Sequence, residues 1–200
     1  MSATRMATAS GLDNYPSPVN ILHMRKFTLL GIPNLRAMFA LCAMLASTLA
    51  SAQTTGCDGS EEFSQFDFWV GDWQVYDNVS GKFAGNNSIK KLEQGCLLQE
   101  SWQGAGGGTG TSINYYNPVR GEWRQVWVSA GRYAIDIAGG IVNGAMVLTG
   151  VIDTYNGVSA SFRGIWTPNA DGSVRQLFEQ LNSDTGVWDV WFDGRYEPLK

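Results

Sequence analysis

Downstream of about residue 70 the chain runs in short stretches of alternating apolar and polar residues, each closed by a turn signal. The signals are Ser80-Gly81, the glycine-rich stretch 104–110, residues 117–121 (Asn-Pro-Val-Arg-Gly), Ala130-Gly131, Asn143-Gly144, Asn156-Gly157, Asp171-Gly172 and Thr185-Gly186. Alternation with a period of two marks half-buried strands. Asn-Gly and Asp-Gly supply the positive φ angles that tight hairpins need. From Gly131 onward the turn glycines are 13, 13, 15 and 14 residues apart, one strand plus one turn each. The pattern predicts strands near residues 72–79, 86–94, 96–103, 110–117, 122–129, 132–138, 145–153, 158–167, 173–182 and 187–196. Ten consecutive strands in under 150 residues predict an all-β fold, an antiparallel up-and-down barrel whose closure removes the sheet edges. A β-sandwich is the alternative. Residues 61–69 predict a short helical turn that plugs one end.

The same alternation assigns faces. In the strand at 122–129, Trp123, Gln125 and Trp127 share one side and Arg124, Val126 and Val128 the other. Burying two indoles removes far more apolar surface than burying two valines, and an inward Arg124 needs a partner. Trp123, Gln125 and Trp127 are therefore expected inside. Parity likewise points Val174, Gln176 and Phe178 inward, with Tyr133, Ile135, Ile137, Phe162 and Trp166. It also points Trp188, Val190 and Phe192 inward. Leu98, Glu100 and Trp102 share a face, which if inward sets a carboxylate among aromatic rings. Asn114 and Tyr116 are the inward choice on the strand at 110–117.

An aromatic interior with a few polar groups is the usual make-up of a small-molecule site. The expected ligand-binding residues are Glu100, Trp102, Asn114, Tyr116, Gln125, Trp127, Tyr133, Trp166, Gln176 and Phe178. The competing reading is a packed core, since small barrels fill themselves with side chains.

Composition and charge set the compartment. Basic residues Arg25, Lys26 and Arg36 precede an apolar run at residues 37–50 and then Ala50-Ser51-Ala52. This is the layout of a secretory signal peptide cleaved before Gln53. Residues 1–52 then form a leader, with Met24 an alternative start, and residues 53–200 form one barrel domain. The apolar run is short for a retained membrane anchor. The expected destination is the periplasm or the exterior, with no membrane span after cleavage.

The 148 residues after the cleavage point hold ten Lys and Arg against seventeen Asp and Glu, a net charge of −7. That sign argues against nucleic-acid partners. His23, the single histidine, lies in the leader. A Ser-His-Asp triad and histidine-ligated zinc or haem are therefore excluded from the mature domain. No cofactor or metal is expected. Cys57 and Cys96 remain after Cys42 leaves with the leader, and in an oxidising compartment they are expected to pair. A lipid-modified Cys57 is the rival, disfavoured by the poor lipobox at residues 54–57.

Other motifs are weaker. The stretch 104–110 lacks the Gly-Lys-Ser/Thr ending of a phosphate loop, so it is read as a flexible loop or lid. Asp171-Gly172 and residues 184–186 lack the alternating acids of a calcium loop. Asp67, Asp72 and Asp77 are read as an acidic rim, and Arg124 and Arg175 as outward residues paired with Glu122 or Glu179. Asn78 and Asn86 open glycosylation sequons.

Residues 66–75 (FDFWVGDWQV), 95–102 (GCLLQESW), 123–128 (WRQVWV) and 174–179 (VRQLFE) resemble a group of secreted bacterial proteins classed as a domain of unknown function. The resemblance spans about residues 57–197, and its F-D-F-W-x-G-x-W opening is the most specific part. That group is similar in architecture to calycin-like barrels such as lipocalins, fatty-acid-binding proteins and nitrobindins. The resemblance implies a calycin-like barrel and assigns no catalytic residue; a nitrobindin-like haem site would need a histidine the mature chain lacks. The leading expectation is an exported barrel that binds a small apolar or aromatic ligand. A structural envelope or partner-binding protein is the alternative, as is a histidine-independent enzyme using Glu100 as acid or base. The oligomeric state is not legible.

Overall fold

The structure is a computed structural model and describes residues 56–199. The leader, its cleavage site, Met24, His23 and Cys42 lie outside the described residues. After a one-turn helix α1 (Glu61–Ser64) and a 3-10 turn (Asp67–Trp69) come ten strands. They are β1 (Gly71–Asp77), β2 (Phe83–Leu92), β3 (Leu97–Gly104), β4 (Thr109–Asn117), β5 (Glu122–Ser129), β6 (Tyr133–Val142), β7 (Ala145–Thr154), β8 (Ser159–Pro168), β9 (Val174–Leu181) and β10 (Trp188–Pro198). Each pairs antiparallel with the next, and β10 returns to β1, giving a closed up-and-down barrel rather than a sandwich. Closure satisfies the backbone groups that an open sheet would leave exposed at its edges.

The turn signals became hairpins. Asn143 and Gly144 both have positive φ, 51° and 81°, and join β6 to β7 in two residues. The glycine-rich stretch forms a tight hairpin between β3 and β4, tied by Gly104 N to Gly108 O at 2.8 Å. It is a turn and not a lid. Strand β6 extends to Val142, past its expected end at residue 138, because the Ala138-Gly139-Gly140 break in the apolar rhythm does not interrupt the ladder.

One end of the barrel is stoppered. Phe66 and Trp69 are fully buried. Phe66 stacks on Trp69 at 5.0 Å and meets the rings of Trp123 and Trp166 edge-on at 5.6 and 5.3 Å. Trp73 Nε1 donates to Trp69 O at 2.9 Å. A disulfide between Cys57 and Cys96, with Cα atoms 4.8 Å apart, pins the segment leading into the plug to the β2–β3 connection. Lys91 adds an ion pair to Asp67 at 2.8 Å.

The face assignments of β3, β4, β5, β6, β8 and β9 agree with the buried set. Strand β10 does not follow its expected parity. Val190 pairs with Glu179 and Phe192 with Phe178, so Trp191 is an extra residue at a bulge. A bulge reverses the alternation on one side of itself. Val190 is consequently 63% exposed, and the Trp188 ring lies outside, under the Arg163 guanidinium at 4.4 Å. Only Phe192 of the three expected inward residues faces the interior, and Trp191 joins it there.

The outward arginines are paired as expected, but with different carboxylates. Arg124 makes a two-pronged contact with Asp136 on β6, and Arg175 with Asp193 on β10. Glu179 is taken by Arg163, and Glu122 lies 3.6 Å from Arg120.

Candidate functional site

The half of the barrel away from the plug is hollow. A cavity of about 250 Å³ is lined by Glu100, Trp102, Trp127, Tyr133, Ile135, Gln176, Phe178, Trp191, Phe192 and Tyr196. Its walls come from β3, β5, β6, β9 and β10. Glycines make the room for these rings. A Cβ on Gly110 would lie 2.1 Å from the Trp127 ring, and one on Gly164 2.6 Å from both Phe178 and Trp166. The bulge supplies a further ring: Trp191 meets Tyr133 edge-on at 5.1 Å and Phe162 at 5.6 Å.

Seven of the cavity's lining residues are aromatic, and Glu100 is its one ionisable carboxylate. Asn87 Nδ2 donates to Glu100 Oε1 at 2.6 Å, and Ser112 Oγ donates to Oε2 at 2.7 Å. These bonds belong to a buried polar chain. Gln125 Nε2 donates to Asn114 Oδ1 at 2.8 Å, and Asn114 Nδ2 donates to Ser112 Oγ at 2.8 Å. On the other flank Asn87 Nδ2 also donates to the Tyr196 hydroxyl at 3.2 Å, and that hydroxyl donates to Gln176 Oε1. The donors converge on the carboxylate from both sides, which fixes it sterically and electrically.

Burial pushes the Glu100 carboxyl up from 4.5 to about 7; the bonds from Asn87 and Ser112 offset only part of that. Among the described residues no cation contributes to its environment. Burial also raises the Tyr196 hydroxyl well above its ordinary value, and the nearby Glu100 charge adds to the effect. Tyr133 is raised chiefly by burial, while Arg132 acts in the opposite sense. The Tyr133 hydroxyl lies near the Trp127 indole nitrogen, yet that nitrogen is buried without a partner of hydrogen-bond geometry. Asn87 Oδ1 is likewise a buried acceptor without a partner.

The sequence-predicted site residues divide into two groups. Glu100, Trp102, Trp127, Tyr133, Gln176 and Phe178 meet around the cavity. Asn114 and Gln125 point inward but are occupied with Ser112 and with each other and do not line the cavity. Tyr116 packs at the plug end on Phe63 and Trp123, at 5.3 and 6.2 Å. Trp166 is fully buried against Phe66 and Trp69. These four residues do not line the cavity, and for Tyr116 and Trp166 the reason is their height. Parity decides which side of the sheet a residue faces, whereas strand tilt and stagger decide its height along the barrel axis.

Sequence reasoning missed Asn87, Ser112, Trp191 and Tyr196. Ser112 and Tyr196 carry the inward parity of Asn114 and Phe192 and were findable. Trp191 was hidden by the bulge.

A fixed, buried carboxyl that titrates near neutrality can do two things. It can neutralise a positive group on a ligand, or it can exchange a proton with one. Neither the protein-family models nor the curated proteins compared with this chain give a match.

Proposed function

We propose that the protein is an exported binding protein for a small, largely apolar or aromatic molecule, held in the upper half of the barrel. The observation that carries the reading is the hollow of about 250 Å³ with its aromatic wall and a single polar wall of Glu100, Gln176 and Tyr196. The volume fits roughly ten non-hydrogen atoms, taking each at about the 20–30 Å³ of packed water. A single ring or a small fused pair matches; a long acyl chain or a porphyrin does not. Export is supported by the leader sequence and by the Cys57–Cys96 disulfide, which suits an oxidising compartment. The alternative of a packed structural barrel is disfavoured by a void far larger than the one or two waters such a core tolerates.

Trp102, Trp127 and Trp191 make the cavity its own reporter. Titration with single-ring and two-ring aromatics is expected to shift or quench tryptophan fluorescence, and native mass spectrometry of protein from its own host is expected to carry a co-purifying small molecule. Silence in both measurements overturns the proposal. A second reading, acid–base catalysis by Glu100, is favoured by its titration near 7. In that case a bound molecule is converted over time, and Glu100→Gln stops the conversion while leaving binding in place.

A further inference from the structure

The interior charge pattern narrows the ligand class. Arginines 124, 163, 175 and 195 all lie in ion pairs with carboxylates, and none of them is a lining residue. Glu100, 3% exposed, thus stands in the barrel with no counter-charge among the described residues. Burying an ionised carboxylate without one is costly, even with two hydrogen bonds. A carboxylate has about four acceptor positions. Asn87 and Ser112 occupy one on each oxygen, so two remain. Around it stand Trp102, Trp127, Phe178, Trp191 and Phe192. Electron-rich ring faces attract cations, tryptophan most strongly, and more so when water is excluded. Asn87 Oδ1, unpartnered and buried, belongs to the same amide that donates to Glu100.

We propose that the cavity takes a small organic cation, a protonated amine or methylated ammonium carried on an aromatic or aliphatic body of about ten non-hydrogen atoms. The ammonium bonds Glu100, and the body lies among the indole and phenyl rings. This rests on the binding reading above and specifies its chemistry. It also predicts a pH dependence, because the cation needs an ionised partner. The groups that act on Glu100 are Asn87 and Ser112, which do not titrate, and Tyr196 and Tyr133, which stay neutral through pH 6–9 because both are raised above 10. Arg132 acts on the Tyr133 hydroxyl and not on Glu100. Affinity for the cation therefore rises with pH through about 7.

The test is calorimetric titration of the mature protein, at about pH 6 and pH 8, with benzylamine, benzyl alcohol and benzoate, three probes of nearly equal size. Benzylamine is expected to bind about tenfold or more tightly than benzyl alcohol at pH 8, the usual margin of a charge-assisted over a neutral hydrogen bond, with the margin shrinking at pH 6. Benzoate is expected not to bind. In Glu100→Gln the advantage of the amine disappears while benzyl alcohol binding is kept, which also reports that the variant is folded. Should that variant not fold, Trp191→Ala at the partly exposed rim serves instead, with a larger loss for benzylamine than for benzyl alcohol. Equal binding of alcohol and amine, or tighter binding of benzoate to the free Trp127 Nε1 donor, overturns the cation proposal and leaves the binding reading intact. Failure of all three probes to bind overturns both.

Discussion

A carboxyl that titrates at about 7 when folded and at 4.5 when not must leave a mark on stability, and Glu100→Gln isolates it. Below pH 4.5 the group is protonated in both states and costs nothing. As pH rises from 4.5 to 7 the unfolded chain gives up the proton while the folded chain holds it. The unfolded state then binds fewer protons, so stability falls with rising pH. Above 7 both forms are ionised and the penalty is constant. The full displacement of about 2.5 pH units corresponds to about 3 kcal/mol, and the part falling between pH 5 and pH 8 to about 2–3 kcal/mol. The other shifted carboxyls all move down, away from this window. Asp77, Asp171 and Asp193 are lowered by hydrogen bonds, first from Ser80, Ser173 and Arg175 respectively, so their contribution is present above their unfolded values and is lost only in stronger acid. Tyr133 and Tyr196 act only in strong alkali. Glutamine keeps the shape and one acceptor for Asn87 but carries no charge. Urea unfolding followed by tryptophan fluorescence is expected to give a variant that gains about 2–3 kcal/mol on the wild type between pH 5 and pH 8. A wild-type-to-variant difference that is the same at both pH values would refute the claim that Glu100 is a buried, uncompensated acid.

Three further outcomes follow from the same structure. Replacing Cys57 and Cys96 together by alanine opens a loop with a sequence separation of 39, and the chain-entropy relation gives a loss of about 4 kcal/mol, readable as a lowered urea midpoint with a slope that rises as the freed unfolded chain expands. Trp69→Ala empties the plug of a fully buried indole and is expected to lower stability by about 3–5 kcal/mol, while probe binding in the refolded variant weakens less than in Gly110→Ala, because Trp69 does not line the cavity and backs it through Tyr196. Gly110→Ala sets a Cβ 2.1 Å from Trp127, and the displaced ring enters the cavity; binding of benzylamine is expected to fall sharply for a stability cost of only about 1–3 kcal/mol, and unchanged affinity would contradict the placement of that ring.

Most of the architecture was legible because it depends on local chemistry. Asn143-Gly144 can hardly do anything but turn, and the tryptophan-bearing alternation of β5 can bury only one side profitably. The plug was readable as a helical turn at residues 61–69 because its apolar residues break the period of two. The site was half legible. Face follows from sequence parity, so Glu100, Trp127 and Gln176 were found. Height in the barrel follows from tilt and stagger, which belong to the closed sheet as a whole, so parity did not reveal that Tyr116 and Trp166 lie at the plug end. The bulge at Trp191 shows the other limit. Residues 190–192 (Val-Trp-Phe) are apolar in succession, so parity alone fixes no face there, and one unpaired residue reverses the side-chain direction.

The division along the axis explains how the barrel tolerates Glu100 at all. A domain of this size has only about 5–15 kcal/mol of stability to spend on function, and the ionised acid takes about 3 kcal/mol of that above neutrality. The opposing terms sit in the other half: the ring cluster of Phe66, Trp69, Trp123 and Trp166, and the disulfide that holds the plug in place. Neither lines the hollow, although the cluster backs its wall through Trp166 against Phe178 at 5.3 Å and Trp69 against Tyr196 at 6.4 Å. A buried acid with two donors and no cation is a poor way to stabilise a core, since an apolar residue of similar volume is commonly as good or better. Its chain of donors from Gln125 through Ser112, and from Asn87, holds the carboxylate in one orientation toward the hollow, which is what a ligand carrying the missing positive charge requires.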